Sequence, residues 1–174
     1  MQITVRDHRR DDFHTLWLID QSCFAPGIAY TRYELLTYMR RPGAFTLVAE
    51  SGSAIEVPGH ADRAGMAVAA RPTIVGFLVA EASRRGIGHI ITIDVRAEAR
   101  RHRVGSILLQ AAEERLRIAK SHAVRLETAV DNASALSFYK RHGYDVLSAI
   151  PHYYSNGVDA LLLEKVLIQA ETAS

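Results

Sequence analysis

Two stretches of this sequence gather side chains able to do chemistry. The first is Arg100-Arg101-His102-Arg103-Val104-Gly105-Ser106, a basic turn that opens directly onto an amphipathic run. A helix N-terminus presents unpartnered backbone N–H groups and the positive end of the helix dipole, and together these bind phosphate. Arg103, Val104, Gly105 and Ser106 would offer amides to a pyrophosphate, the arginines add cations, and Gly105, lacking a Cβ, lets an anion approach the backbone. A solvated basic loop is the plainer reading, but a position between a buried strand and a helix start argues against it. The second stretch holds Glu127 and Tyr139, twelve residues apart, with Asn132 between them. A carboxylate flanked by Leu126, Ala129 and Val130 can take a proton, and a phenol can support a departing anion. The structural alternatives are a charged strand residue, an aromatic core residue and, for Asn132, a helix cap.

The elements that must position these groups follow from periodicity. Ile90-Ile91-Thr92-Ile93-Asp94-Val95 is β-branched, short and apolar, as expected of a central strand. From Val104 the period becomes helical: Val104, Ile107, Leu108, Ala111, Ala112 and Leu116 share one face, and Gln110, Glu113, Glu114, Arg117 and Lys120 the other. Arg85-Gly86-Ile87-Gly88 imitates a glycine-rich phosphate loop, but a strand follows it, so it reads as a hairpin turn. Upstream, Gln2–Arg6 alternates like a strand, and Asp11 and Asp12 are candidate caps for a helix with Leu16 and Ile19 on its core side. Cys23 reads as a small buried hydrophobe at its end. Thr31 and Glu34 form a capping box for a second helix through about Arg41, which Pro42-Gly43 ends.

Ala44–Glu50 and Thr73–Ala82 read as strands, joined by a long segment, 51–72, rich in Ala, Gly and Pro. Connections of that length are functional or mobile loops. Ala123–Val130 is a further strand, Asp131-Asn132 start a short helix over Ala133–His142, and Gly143 stops it. Tyr144–Ile150 and Val158–Leu167 close the pattern, and a polar tail, 169–174, follows.

Composition sets the bounds. A chain of 174 residues with 48% hydrophobic content has enough apolar mass for a single domain over 1–168. A net charge of +2 is too small to make nucleic acid or an anionic membrane the main partner. A single cysteine rules out an intrachain disulfide, which fits a reducing cytoplasm. No apolar run approaches the roughly 20 residues of a membrane span. The eight histidines show no His-x-x-x-His spacing with an intervening Glu, so no metal is expected.

At Arg100-x-x-Arg103-x-Gly105 the sequence resembles the GNAT superfamily of acetyl-CoA-dependent N-acetyltransferases, whose motif reads Arg/Gln-x-x-Gly-x-Gly/Ala after a strand. Arg103 replaces the first glycine, so its side chain must point away from the pyrophosphate or add a cation beside it. Residues 126–144, with Tyr153-Tyr154 and Gly157-Val158-Asp159-Ala160, resemble the RimI-type branch, the protein N-terminal acetyltransferases. That branch reads approximately Leu-Glu-Val-x-x-x-Asn-x-x-Ala-x-x-x-Tyr-x-x-x-Gly-Phe, and the likeness covers most of residues 75–166.

The resemblance implies an α/β GNAT fold: a mixed, splayed seven-stranded sheet with four main helices in the order β-α-α-β-β-β-α-β-α-β-β, and 51–72 as an insertion. It implies acetyl-CoA as co-substrate, its pyrophosphate on Arg100–Ser106, its pantetheine amides on the backbone of Ile93-Asp94-Val95, and Asn132 against the pantetheine arm. The thioester carbonyl would lie near a backbone N–H at or beside Val95. Phe24, Tyr30, Tyr153 and Tyr154 would grip a protein or peptide N-terminus. Acetyl transfer from a thioester needs a neutral amine, oxyanion support and a proton for the thiolate. An α-amine, with a pKa of about 8 against about 10.4 for lysine, needs only mild help, which a carboxylate can give. Glu127 is the expected base, and Tyr139 the expected hydrogen-bond partner of sulfur. His89 is either a second base or a surface residue at a strand entry. A small-amine acetyltransferase and a non-catalytic acyl-CoA-binding module remain open alternatives.

Overall fold

The apolar and β-branched runs pair into one sheet. The computed structural model describes residues 2–52 and 72–168. Its elements are β1 (Ile3–Asp7), α1 (Phe13–Cys23), α2 (Arg32–Met39), β2 (Ala44–Ser51), β3 (Thr73–Ala82), β4 (Ile87–Val95), α3 (Val104–Ile118), β5 (Ala123–Ala129), α4 (Ala133–Arg141), β6 (Asp145–Ile150) and β7 (Ala160–Val166). Short 3-10 turns cover Arg10–Asp12 and Ala97–Ala99. The seven strands lie in the order β1-β2-β3-β4-β5-β7-β6. Every neighbouring pair is antiparallel except β4 and β5, which run parallel. This is the α/β arrangement and element order expected from the sequence, with β4 central. Most of the anticipated insertion (53–71) and the tail (169–174) lie outside the described residues. Ser51, the last residue of β2, and Thr73, the first of β3, are register partners.

Each face of the sheet has its own core. On one, α3 buries Val104, Leu108, Leu109, Ala112 and Leu116 against Leu78, Ala80, Ile90, Val124 and Leu126, with Tyr139 of α4 in the same cluster. On the other, α1 and α2 bury Leu16, Ile19, Leu35 and Met39 against Val48, Phe77 and Val79. The capping box forms as anticipated: Glu34 N–H donates to Thr31 Oγ1 (3.2 Å), and Thr31 N–H donates to Glu34 Oε2 (2.8 Å). Asp12 does not cap α1 through its side chain. Its carboxylate instead accepts from Arg9 N–H (2.6 Å) and pairs with Arg6 (2.7 Å), which also holds Glu50. Glu113 departs from its expected exposed face. It is only 5% exposed, accepting from the Tyr144 hydroxyl (2.9 Å) and from Lys165 (2.7 Å). Helical periodicity cannot reveal a partner 52 residues away that makes burial of a carboxylate affordable.

The site is set by a departure from regular pairing. The β3–β4 ladder shifts between Val79↔Thr92 and Ala80↔Ile90, leaving Ile91 as the extra residue. A bulge of this kind bends its strand and increases its twist. β4 and β5 pair only at Ile87↔Ala123, Gly88↔Val124 and His89↔Arg125. Past His89 the two strands part, so the stretch from Ile90 to Val95 is laddered to β3 alone.

Candidate active site

Where β4 and β5 part, a cleft of about 1110 Å³ opens. At one end its wall is the basic turn and the first turn of α3, with Arg100, Arg101, Arg103, Val104, Gly105 and Ser106 all contributing. Arg101 (φ 67°) and Arg103 (φ 64°) both take the left-handed conformation. Position 103 thus has a backbone conformation that favours glycine, while carrying an exposed arginine. It is the N-cap of α3 and makes no side-chain cap bond, and the amides of the first helical turn face the turn without intrahelical acceptors. Arg100 Nε donates to Val95 O (3.2 Å), tying the turn to the end of β4.

Gly105 lines the cleft beside these residues. A Cβ there would point at the Phe138 ring (3.4 Å) and Val95 (3.8 Å), at ordinary contact distance. The ring of Phe138 thus packs α4 against the first turn of α3. Ser106 is likewise committed to α4. His142 Nδ1 lies 2.8 Å from Phe138 O and must donate to it, so in the neutral ring Nε2 accepts from the Ser106 hydroxyl (3.0 Å). His142 looked like nothing more than the end of a helix in the sequence. Asn132 caps α4, its Oδ1 accepting from Ala135 N–H (3.0 Å), and it also lines the cleft.

Further in, Ile93, Val95, Glu127 and Tyr139 form the wall. Tyr139 is 6% exposed and lies edge-on to Phe138 and Tyr144 at 5.2 and 5.5 Å. Burial, helped by the nearby Asp94 and Tyr154, pushes its phenol well above the ordinary value. The side chain of Asp94 turns away from the cleft and is 1% exposed, its Oδ2 accepting from the Thr92 hydroxyl (3.2 Å). Burial first, then the charge of Asp20, raises this carboxyl well above the ordinary carboxylate range.

Glu127 Oε2 lies 2.6 Å from His89 Nε2, and His89 Nδ1 lies 3.7 Å from Glu81 Oε1. Burial opposes an imidazolium here, but Glu127 and then Glu81 outweigh it and hold His89 above its ordinary value. His89 is thus neither lone nor a mere surface residue. Its partner was invisible in the sequence because the two stand 38 positions apart.

Two loops border the other end of the cleft. Phe24, Tyr30 and Tyr154 line the cleft, while Tyr153, 46% exposed, stands outside its wall with its ring 5.0 Å from that of Tyr154. Burial pushes the phenols of Tyr153 and Tyr154 up to about 12. Tyr30 N–H donates to Asp20 Oδ2 (2.9 Å), and its hydroxyl donates to the carbonyl of the bulge residue Ile91 (3.4 Å). Ser155 Oγ donates to Gly27 O (2.8 Å), joining the two loops. Cys23 is half-buried in the wall, and its Sγ donates to Val95 O (3.4 Å). His102 is exposed on the basic turn, outside the wall. Among the described residues, no group of three His, Cys, Asp or Glu could hold a metal ion, and no helix is long and apolar enough to cross a membrane.

Known proteins resemble this chain in sequence and in fold. An N-alpha-acetyltransferase of Sulfurisphaera tokodaii is 35% identical over 77 residues, 44% of this chain and 46% of that protein. The chain spans about half the length of the curated relatives it matches. Ard1 from Thermoplasma volcanium has a TM-score of 0.77 at 24% identity, covering 97% of this chain and 100% of that one. The ribosomal-protein-S18-alanine N-acetyltransferase from Escherichia coli has a TM-score of 0.76 at 15% identity, covering 99% of each chain. At such identities the likeness is one of fold. The model of the Acetyltransferase (GNAT) family matches residues 13–144, from the first residue of α1 through β4, the basic turn and α4, so the chain belongs to the GNAT acetyltransferase family.

Proposed function

We propose that the protein transfers an acetyl group from acetyl-CoA directly to the N-terminal α-amine of a protein or peptide, within a ternary complex. The observation that carries this reading is a single cleft with the basic mouth of α3 at one end and Glu127 and Tyr139 in its wall. The free edge of β4 from Ile90 to Val95 fits a pantetheine arm, because unpaired strand amides and carbonyls take up an added chain as they would a strand. Left-handed turn residues at 101 and 103 and the α3 amides fit the pyrophosphate. When bound, acetyl-CoA supplies the activated thioester.

Glu127 takes the proton of the acceptor amine, a modest task for an α-amine of pKa about 8. A backbone N–H at or next to Val95 supports the oxygen that becomes negative during attack. Tyr139, whose phenol burial keeps protonated, donates a hydrogen bond to the departing sulfur. Phe24, Tyr30, Tyr153 and Tyr154 hold the first residues of the acceptor between the two joined loops. The names of relatives support the choice of acceptor: the Sulfurisphaera tokodaii protein is an N-alpha-acetyltransferase. A lone half-buried cysteine fits a cytoplasmic setting.

Steady-state kinetics with acetyl-CoA and a panel of peptides differing in their first two residues tests the reading. Turnover with at least one peptide at a kcat/KM well above that for free lysine, polyamines and aminoglycosides is expected. Acetylation of free small amines in preference to every peptide, or of no amine at all, overturns it.

A further inference from the structure

Two carboxyls sit behind β4, on the face of the sheet that α1 and α2 cover, and the chemistry above uses neither. Asp94 of β4 is the register partner of Phe77, so its side chain shares the face on which Phe77 packs in one cluster with Ile19 of α1. Asp20 is the next residue on that helix. One turn further on, Cys23 Sγ reaches the carbonyl of Val95, the residue after Asp94 (3.4 Å). Both carboxyls are closed off from water, Asp20 being 0% and Asp94 1% exposed. In each, Oδ2 accepts hydrogen bonds and Oδ1 has no partner among the described residues. Two buried carboxylates on facing elements oppose each other's charge, and a proton on one that the other accepts relieves both the repulsion and the orphan oxygens.

The pair stands between two parts of the cleft. On the α1 side, Tyr30 N–H donates to Asp20 Oδ2 (2.9 Å), Gln21 Nε2 and Trp17 Nε1 donate to Tyr30 O (2.7 and 3.3 Å), and the Tyr30 hydroxyl donates to Ile91 O (3.4 Å). Every polar group of Tyr30 is thus engaged. Through it, α1 fixes the end of the loop that brings Phe24 and Ile28 into the cleft wall. On the other side, Asp94 immediately precedes Val95, where the attacked oxygen is expected to gain its negative charge.

We propose that Asp20 and Asp94 hold a single proton between them while the acceptor is bound, and that a second proton turns the Asp20 carboxyl from Tyr30 N–H toward Asp94 and loosens the acceptor loop. This rests on the reading of residues 24–30 as part of the acceptor's grip. The first proton belongs on Asp94, because a charge next to Val95 would oppose the negative oxygen that forms there. Around the pair, Tyr30 N–H and Gln21 favour a charge on Asp20, Glu34 of α2 opposes it, and Arg100 favours one on Asp94. Tyr30, Cys23 and Tyr139, all raised by burial, are uncharged in mild acid. Burial outweighs the hydrogen bonds to Asp20 and sets its protonation at about 6. Acceptor affinity should therefore fall as pH drops through that value, while fold stability, relieved of a buried charge, should rise. A general loosening in acid would lower both.

The test follows binding of an N-acetylated product peptide, which has no amine to titrate, to the coenzyme A-loaded protein by calorimetry between pH 4.5 and 7.5. The Tyr30 amide signal is followed by NMR over the same range. In wild type, affinity should weaken by about fivefold as pH falls through 6, the difference between a hydrogen bond to a charged and to a neutral acceptor, and the Tyr30 amide should move with the same midpoint. Asp94→Asn puts a permanent N–H donor before Asp20 and should carry both transitions to lower pH. Asp20→Asn should abolish both. If Asp94→Asn fails to fold, the Tyr30 midpoint and its loss in Asp20→Asn decide. A transition that persists in Asp20→Asn belongs to another group, such as His89, and overturns the switch, as does a flat affinity in a protein that acetylates peptides. If wild type acetylates no peptide, the functional reading fails, and this control of its acceptor falls with it.

Discussion

The two ends of the cleft are built from different materials. At the mouth of α3, the proposed binding groups are main-chain amides held in place by turn conformation: Arg101 and Arg103 in the left-handed region, Gly105 packed on Phe138, Ser106 tied to His142. At the other end the groups proposed to handle protons are side chains, Glu127 and Tyr139, with His89 bonded to Glu127. Backbone sites depend on shape and tolerate changes of residue type that keep the shape. Sites made of ionisable groups tolerate changes of shape but not of charge. Arg103 in a glycine position is an instance of the first kind, and the short Glu127–His89 contact is an instance of the second.

The sharpest way to break this contrast is at Glu127. Glu127→Gln keeps the volume and removes the charge, and should lower kcat/KM for a peptide by about a hundredfold, within the usual span of general-base effects. Coenzyme A affinity, measured by calorimetry on the same variant, should stay within experimental error. A comparable loss of both would mean that the two ends act as one unit.

Tyr139→Phe is expected to act next most strongly, lowering kcat by about tenfold at saturating acetyl-CoA, because one transition-state hydrogen bond is worth roughly 1.4 kcal/mol. The variant should fold as well as wild type, since the buried ring and its edge contacts with Phe138 and Tyr144 remain. An unchanged kcat would leave Tyr139 as a core residue only and hand the thiolate to solvent.

Asp20 probes the acceptor end through stability. Burial raises its carboxyl from 3.8 to about 6, against the hydrogen bonds from Tyr30 N–H and Gln21. The folded state therefore binds more protons than the unfolded state between those two values. By linkage, stability falls as pH rises through that window, and the penalty is complete above it. Asp20→Asn keeps an acceptor for Tyr30 N–H and removes the titration. Denaturant midpoints between pH 4 and 7 should then lose that downward contribution, and an unaltered slope would assign it elsewhere.

How much of this was legible in the sequence follows the same division. The strand, turn and helix from Ile90 to Ile118 are contiguous, so periodicity and turn chemistry group the residues of the proposed phosphate site without any tertiary knowledge. Glu127, Asn132 and Tyr139 are near enough in sequence for spacing to group them. The link from His89 to Glu127 was not legible, because it depends on where the parallel register of β4 and β5 stops. One bulge at Ile91 decides which side chains share a face beyond it, and no residue type marks that bulge in advance. Glu113 was misjudged for a related reason: its partners, Tyr144 and Lys165, arrive from elements much later in the chain.

The smallest effect is expected at Arg103, and it tests the backbone half of the contrast most directly. A left-handed conformation costs a residue with a Cβ about 1–2 kcal/mol, which glycine does not incur, but glycine also gives the unfolded chain more freedom, worth about 0.5–1 kcal/mol. The two terms leave a net gain of about 0.5 kcal/mol for Arg103→Gly, or a rise in Tm of about 1–2 °C in a domain of this size. Losing one exposed cation beside a pyrophosphate should weaken coenzyme A binding by less than about fivefold, since exposed ion pairs contribute about 0–1 kcal/mol. A higher Tm with nearly intact affinity would mean that the amides do the binding and the arginine is incidental to it. A loss of affinity well beyond fivefold, with no gain in Tm, would make the mouth of α3 a side-chain site after all, and the two ends of the cleft would then be alike.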